Sequence, residues 1–161
     1  MKIGTVTFHC SNNYGAVLQS VALVEKLNEL GYDARIIDYR PKYKTKMYSP
    51  FAIPTNIKSV KHFLYHLYSI PNKYKIDKAF KQFNKKHMLT WGREYLTSDE
   101  LIDNPPDLDV VITGSDQVWN PESLGAVDKI YFLGFGAERI KRISYAPSFG
   151  TSKVDGKFRN E

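Results

Sequence analysis

The stretch that decides the fold is KIGTVTFHCSNNYGAVLQSVALVEKLNELGYDARIIDY, residues 2–39. Ile3–Phe8 is a short apolar and β-branched run, which is typical of a strand. Gly15–Leu30 carries apolar residues at helical spacing, and Gly31 follows, where the end of a helix favours a positive φ. Ala34–Tyr39 is again typical of a strand. This strand–helix–strand order predicts a βαβ unit whose two strands lie parallel in one sheet.

The remaining chain continues the alternation of strands and helices. The predicted helices are Ile57–Ile70 and Lys73–His87, separated by Pro71, with a further helix starting near Thr151; the predicted strands are Leu108–Thr113, Ile130–Phe132 and Ile143–Tyr145. The fold class is therefore predicted as α/β, a Rossmann-like parallel sheet flanked by helices. We expect one domain over residues 1–150, with a basic helical insertion at about 41–90. Residues 151–161 are expected to begin the connection to a further domain.

Length and composition exclude several classes of protein. The chain has 161 residues, of which 42% are hydrophobic, so it can bury a core. It has no apolar run near the roughly 20 residues that cross a bilayer. Its start, MKIGTVTFHC, lacks the apolar stretch of a secretory signal. Its one cysteine, Cys10, excludes an internal disulfide framework. A cytoplasmic protein is expected.

The positive charge is concentrated in the middle of the chain. Twelve of the 23 Lys and Arg residues lie within Arg40–Lys86, together with one of the 17 acidic residues, Asp77. Either this segment is a solvated lysine-rich helical face, or it meets an anionic partner such as a membrane surface, nucleic acid or a phosphorylated substrate. No recognised nucleic-acid-binding motif is present, so a nucleic-acid partner is not expected.

The first polar loop comes directly after the first predicted strand. Ligands of parallel α/β sheets bind beyond the carboxyl ends of the strands. The loop His9–Gly15 leads into a helix N-terminus, where free N–H groups favour an anion. Asn12 or Asn13 can cap the helix, and Gly15 lets a ligand approach the backbone. The alternative is ordinary capping by Asn. The loop has neither the dinucleotide-binding glycine pattern nor a P-loop.

The second polar loop, TGSDQVWNP at Thr113–Pro121, comes directly after a predicted buried strand. Gly114 ends the strand, and Ser115 and Asp116 can cap the next turn of the chain. Asp116 is the candidate general base or hydroxyl clamp. The other candidates in the loop are Gln117 and Asn120, whose amides suit sugar hydroxyls, and Trp119, on whose flat face a sugar ring or a base can stack. The alternative is a capped turn with a buried Trp.

Three other features carry weaker signals. His62 and His66 have metal-ligand spacing on a helix, but Phe63 stands where a zinc protease has Glu, and no third ligand is evident. We therefore expect no metal. Cys10 and His9 are neighbours in an extended stretch and point to opposite sides, so a thiol nucleophile is not expected. The third loop, Ser144–Gly150, offers hydroxyls and a glycine, and a plain turn fits it equally well.

Two of these motifs resemble a known family. Asn13–Ser20 at the start of the first helix and Gly114–Pro121 after a central strand resemble the polysaccharide pyruvyl transferases, and Ser148–Gly150 after a later strand is also similar. The resemblance spans about residues 1–150. It implies that the following residues line a cleft: Asn13, Tyr14, Gly15, Gly114, Ser115, Gln117, Trp119 and Asn120, with Asp116 as the catalytic base or hydroxyl clamp.

The resemblance also implies an activity. Such enzymes have two Rossmann-like domains, similar to GT-B glycosyltransferases, and transfer pyruvate from phosphoenolpyruvate to a cell-surface polysaccharide as a ketal, without metal or cofactor. Family members are longer and place their donor-binding basic residues in the C-terminal domain. The chain thus resembles the N-terminal half, expected to be inactive alone and to meet a glycan or lipid-linked sugar at the inner membrane face. The alternatives are a non-catalytic glycan-binding or regulatory half-domain, or a GT-B-like glycosyltransferase domain.

Overall fold

A parallel sheet forms the centre of the protein. The computed structural model describes residues 1–42, 60–121, 126–153 and 156–158. Its elements in chain order are β1 (Lys2–Val6), α1 (Tyr14–Glu29), β2 (Asp33–Tyr39), α2 (Val60–His87), β3 (Thr90–Tyr95), α3 (Ser98–Asp103), β4 (Val110–Gly114) and β5 (Lys141–Tyr145), followed by a 3₁₀ turn at Gly156–Phe158. The strand order is β3-β2-β1-β4-β5, and every pairing is parallel. The predicted α/β Rossmann-like fold is confirmed.

The strand order reverses its direction at β1. The chain moves from β1 outward through β2 and β3, and then returns to place β4 on the other side of β1. Ile3 of β1 is therefore in register with Ala34 on one side and Val110 on the other. In such sheets the crevice between the two outward-moving halves is where ligands bind. The loops after β1 and β4 flank this crevice.

Apolar residues on both faces of the sheet form two core clusters. Neighbouring residues of a strand point to opposite faces, so Ile36 and Ile37 of β2 belong to different clusters. The central strands are buried along almost their whole length, as expected for a parallel sheet covered on both sides. Edge strand β5 is exposed throughout.

Two elements escaped prediction from the sequence. Strand β3, with the sequence TWGREY, is a polar edge strand that buries only Tyr95 completely and contains Gly92 at a positive φ of 85°. Helix α3 is a short helix capped by the Thr97 hydroxyl, which accepts from the Glu100 N–H at 3.2 Å. Neither is long enough to show a clear hydrophobic period.

The strand predicted at Ile130–Phe132 is wrong. These residues form a turn, because the Asp128 carboxylate accepts from the Ile130 N–H at 3.0 Å and the Asp128 carbonyl accepts from the Tyr131 N–H at 3.1 Å. Ile130 and Tyr131 are nevertheless buried in the core. Their apolar character reflects this burial and not a place in the sheet.

The predicted boundaries of the helices also change. The break expected at Pro71 is wrong, since α2 runs through it. Proline removes one helical hydrogen bond, that of the Leu67 carbonyl, and Leu67 lies on an exposed face where water can reach that carbonyl. Residues 57–59 and most of the irregular stretch before them lie outside the described residues. Residues 151–153 form a bend, so the helix expected near Thr151 is not found there.

Gly4 shows how closely the central strand is packed. A Cβ at this position would collide with Leu108 Cδ1 and lie 2.8 Å from Ile37 Cδ1. We expect Gly4→Ala to lower the free energy of unfolding by about 1–3 kcal/mol, the usual cost of overpacking a core. Urea denaturation measures this change. Gly156→Ala is the control, because none of the described residues, its chain neighbours apart, has an atom within 4 Å of the position that its added methyl would take; equal losses in the two variants would contradict the packing described.

Candidate functional site

Hydrogen bonds across the crevice connect the ends of β1 and β4. The Thr7 hydroxyl, just beyond β1, donates to the Gly114 carbonyl at 3.1 Å and accepts from the Gln19 amide of α1 at 2.7 Å. Gly114 is also packed against α1, since a Cβ there would lie 3.1 Å from Leu23 Cδ2. The second polar loop therefore starts from a point that three elements hold in place.

The first polar loop is a helix cap. Asn13 Oδ1 accepts from the Ala16 N–H at 3.2 Å, which confirms the capping interpretation for Asn13. Gly15 is exposed, and the Tyr14 ring is 70% exposed while packing at 4.8 Å against Phe80 of α2. Ligand contact by Asn13, Tyr14 and Gly15 stays a prediction, and the exposure of Tyr14 and Gly15 is compatible with it.

Beside this loop lies a buried network that no sequence pattern revealed. Asp38, near the end of β2, accepts from His9 Nε2 at 2.9 Å and from Arg40 through both carboxylate oxygens, at 2.6 and 3.1 Å. Burial alone would raise the pKa of Asp38, but the hydrogen bonds and charges of His9 and Arg40 outweigh it and hold that pKa below its ordinary value. Arg40 also pairs with Glu94 of β3 at 3.3 Å.

The nitrogen-bearing side chains of this network, His9 and Arg40, already have hydrogen-bond partners. His9 is almost fully buried, and its Nδ1 faces the Thr7 carbonyl at 3.2 Å. Since both neighbours of the ring are acceptors, both hydrogen bonds form only when both ring nitrogens carry a hydrogen. His9 therefore has no ring nitrogen left to activate Cys10, and Arg40 is held by two carboxylates. The network holds the first polar loop in place. Because His9 and Arg40 are bonded within it, they contribute little to the binding of an anionic ligand.

The second polar loop pairs with the third loop. The Ser148 N–H donates to the Asp116 carbonyl at 2.9 Å, and the Trp119 N–H donates to the Ser148 carbonyl at 3.2 Å. The Ser115 N–H donates to the Tyr145 carbonyl at 2.7 Å, which continues the pairing of β4 with β5. The two loops thus form one unit at the carboxyl edge of the sheet.

The polar side chains of the second loop meet at a glycine. Asn120 Nδ2 donates to Gln117 Oε1 at 3.3 Å, and the Asn120 N–H donates to the Gln117 carbonyl at 3.1 Å. Gly150 of the third loop, at a φ of 66°, lies directly against this amide pair. Asp116 is half-buried, and its Oδ1 accepts from the Gln117 N–H at 2.7 Å. The two amides predicted as site residues are thus brought together, and the Asp116 carboxylate contacts the backbone of Gln117.

Trp119 is part of an aromatic cluster. Its indole N–H donates to the Tyr131 carbonyl at 2.9 Å, and its ring stacks on Phe132 at 5.4 Å and 9°. Phe149 lies tilted at 5.7 Å from the indole. A cavity of about 260 Å³ adjoins these rings. Because Phe132 occupies one face of the indole, a sugar that stacks on Trp119 would have to enter beside Phe149.

No metal site is evident in the described part of the chain. Residues 1–42, 60–121, 126–153 and 156–158 contain no group of three or more His, Cys, Asp or Glu residues that could hold a metal ion. His62 and His66 belong to α2, but their side chains lie outside the described residues. None of the described helices has the length and apolar character that a membrane crossing requires.

A match to a known protein family covers the second polar loop, Thr113–Pro121, which is called the motif loop below. The model of the family described as polysaccharide pyruvyl transferase matches residues 13–161. The chain belongs to the polysaccharide pyruvyl transferase family. The match begins at the Asn13 cap and includes the paired second and third loops, so all candidate site residues lie inside it. No curated protein and no solved structure matches the chain.

The pairing of the two loops in this pyruvyl transferase family member can be tested at Gly150. A Cβ there would collide with Gln117 Oε1 and lie 3.0 Å from Asn120 Nδ2. We expect Gly150→Ala to destabilise the fold by more than the left-handed backbone cost of roughly 1–2 kcal/mol, because the Gln117 amide has to move, and to shift the Trp119 indole N–H resonance. Urea denaturation and NMR measure both effects.

Gly92→Ala is the matched control for this variant. Gly92 also has a positive φ, 85°, but within the described part of the chain no atom outside its chain neighbours lies within 4 Å of the added methyl. It isolates the backbone cost of roughly 1–2 kcal/mol. If the two variants lost equal stability and the Trp119 resonance stayed in place, the loops would not be packed as described.

Proposed function

We propose that the chain is the acceptor-side domain of an enzyme that transfers pyruvate from phosphoenolpyruvate to a sugar of a cell-surface polysaccharide, as a ketal. The observation that carries the proposal is the family's motif loop, held by Ser148 at the carboxyl edge of the sheet next to the crevice. Ligands of parallel α/β sheets bind in this place. Polar residues that pack together there are more readily explained by a ligand than by the needs of the core.

The chemistry requires an acid, a base and anion-binding groups. A proton is added to the methylene carbon of phosphoenolpyruvate, and a sugar hydroxyl attacks the adjacent carbon while a base takes its proton. A second hydroxyl then attacks the same carbon, phosphate leaves with the bonding electrons, and the proton of this hydroxyl passes to the departing phosphate. We assign the base, or a clamp on the attacking hydroxyl, to Asp116. No metal and no cofactor is part of the proposal.

The neighbours of Asp116 suit a sugar. Gln117 and Asn120 each carry an amide with donors and acceptors, and their mutual hydrogen bond orients both groups. Trp119 and Phe149 offer apolar surface to the C–H face of a sugar ring. Ser115, Gly114 and the first loop, with Asn13, Tyr14 and Gly15, would form the opposite side of the acceptor site.

The donor anion needs cations that this loop unit does not supply. His9 and Arg40, which the fold brings to the first loop, are held by Asp38 and Glu94. We therefore propose that a second, GT-B-like domain contributes the groups that bind the carboxylate and phosphate, and that the 161-residue chain alone does not turn over. A non-catalytic glycan-binding half-domain, or a glycosyltransferase domain of similar architecture, is the alternative that the sugar-type side chains also support.

Asp116→Asn tests the assignment of the base. The amide keeps an oxygen for the Gln117 N–H and loses the charge that accepts a proton, so the loop should keep its shape. In a two-domain polypeptide containing this chain, we expect kcat to fall about 10²–10⁴-fold. Phosphate release from phosphoenolpyruvate and the pyruvyl mass gain on a glycan panel measure the reaction.

Asp107→Asn is the control, because Asp107 is an exposed carboxylate that pairs with Lys2 and Arg139 at the opposite edge of the sheet. It should leave kcat unchanged. Normal turnover by the Asp116→Asn variant would remove Asp116 from the mechanism. Glycan binding without any phosphate release by the unsubstituted two-domain protein would favour the non-catalytic alternative.

We also propose that the protein is cytoplasmic and contacts the inner face of the membrane through the Arg40–Lys86 segment. A lipid-linked acceptor would lie at this membrane face. Helix α2 supports this idea, because exposed apolar or aromatic side chains and exposed lysines both occur along it. Leu64, Leu67, Tyr68 and Tyr74 are exposed, and so are Lys73, Lys75, Lys78, Lys85 and Lys86. Aromatic and lysine side chains on one helix suit an anionic bilayer surface.

Vesicle flotation tests the membrane proposal. Exchanging Lys78 and Lys85 for Gln should weaken binding to phosphatidylglycerol vesicles about thirtyfold, at about 1 kcal/mol per lysine. Exchanging the exposed Lys141 and Lys153 for Gln leaves the same net charge and should have a much smaller effect. Equal effects of the two pairs, or equal binding to phosphatidylcholine vesicles, would contradict the proposal.

A further inference from the structure

A second cavity opens at the carboxyl edge of the sheet, beside the motif loop. It measures about 550 Å³ and lies where β2 and β3 end, against α3. We call it the Asp99 cavity after a carboxylate in its wall, and call the smaller space next to Trp119 the Trp119 cavity. Ligand pockets in proteins measure about 300–1,000 Å³, so the volume of the Asp99 cavity lies within the range of small-molecule sites. None of the residues predicted from the sequence as a site residue lines it.

The two cavities are neighbours that share a wall. Val127 and Lys129 line both of them. Asp128, between these two residues, lines the Asp99 cavity and is buried. A ligand that occupied both cavities would therefore pass along the segment Val127–Lys129. The two spaces can be described as one groove that runs from the motif loop to the end of β3.

The walls of the Asp99 cavity match the surface of a sugar. Leu96 and Ile102 supply apolar surface for C–H groups, and Thr97 and Ser98 carry hydroxyls. Asp99 offers a carboxylate, and Lys42 and Lys129 offer donors. With Asp128, the cavity holds two carboxylates and two ammonium groups. This balance suits a neutral polyhydroxylated ligand better than a small trianion such as phosphoenolpyruvate.

A rigid connection links the cavity wall to the motif loop. The Tyr39 hydroxyl donates to Asp128 Oδ2 at 2.7 Å, and burial together with the Asp128 charge raises the pKa of Tyr39, so this donor keeps its proton. The Tyr39 ring packs edge-on against Tyr131 at 5.7 Å, and the Tyr131 carbonyl accepts from the Trp119 indole at 2.9 Å. The two cavities are therefore held in a defined relative position.

We propose that the Trp119 cavity and the Asp99 cavity are adjacent subsites of one glycan groove, so that the acceptor is recognised over at least two sugar units. The sugar in the Trp119 cavity receives the pyruvyl group, and the next sugar lies in the Asp99 cavity. This inference rests on the proposed function for the identity of the first subsite. It adds a specificity-determining role for Asp99, which hydrogen-bonds hydroxyls of the second sugar.

Glycan binding to the 161-residue chain tests whether the two cavities act as adjacent subsites for one glycan. The probes are mono-, di- and trisaccharide fragments of cell-surface polysaccharides on a microarray, followed by titration of the bound ones in solution. We expect di- and trisaccharides to bind at least about tenfold more tightly than their component monosaccharides. Asp99→Asn should abolish most of this preference, a loss of about tenfold for one hydrogen bond to a charged group.

Asp103→Asn is the matched control. Asp103 is an exposed carboxylate of the same helix that does not line the cavity. It should bind oligosaccharides as the unsubstituted chain does, and near-identical unfolding curves of both variants would show that the fold is kept. Three results would contradict the two-subsite groove. These are equal affinity for mono- and oligosaccharides, equal affinities of the two variants, and no glycan binding at all. A failure of the proposed reaction would be seen in a different experiment, as an absence of phosphate release from phosphoenolpyruvate in the two-domain protein.

Discussion

The parallel pairing of β1 with both β2 and β4 is the constraint on which the rest of the structure depends. It puts the carboxyl ends of these strands at one edge and opens a crevice between the loops after β1 and β4. Thr7 then bridges the crevice by donating to the Gly114 carbonyl, and Gln19 ties the same hydroxyl to α1. A chain in which β1 paired differently would separate the first and second polar loops.

The candidate site is assembled from loops that stabilise one another. Ser148 joins the second and third loops through its N–H and its carbonyl, and Ala146 before it adopts a positive φ of 48°. A non-glycine residue with a positive φ is strained. Such strain is typical of functional loops whose surroundings hold them in place. The contacts of Trp119 with Phe132 and Phe149 supply that support. The loop unit can therefore present Asp116 without large rearrangement.

The sequence predicts the parts of the molecule whose pattern is local. Helix α1 and strands β1, β2 and β4 follow from apolar periodicity, and the motif loop follows from polar residues after a buried strand. The sequence does not predict strand β3, because its place is set by pairing with β2 and not by its own polar sequence. The His9–Asp38 contact joins residues distant in the chain, and the Asp99 cavity joins α3 to the segment Val127–Lys129. No local pattern reveals such contacts.

The most direct test of the central claim is to map where a product analogue binds. Backbone amide resonances of the chain would be recorded with and without pyruvyl ketals of several methyl hexosides. We predict that shift changes concentrate at Ser115–Asn120 and Ser148–Gly150, on the carboxyl edge of the sheet. Changes confined to α2 or to the amino edge near Asp109, or no changes at all, would contradict a sugar site at the motif loop.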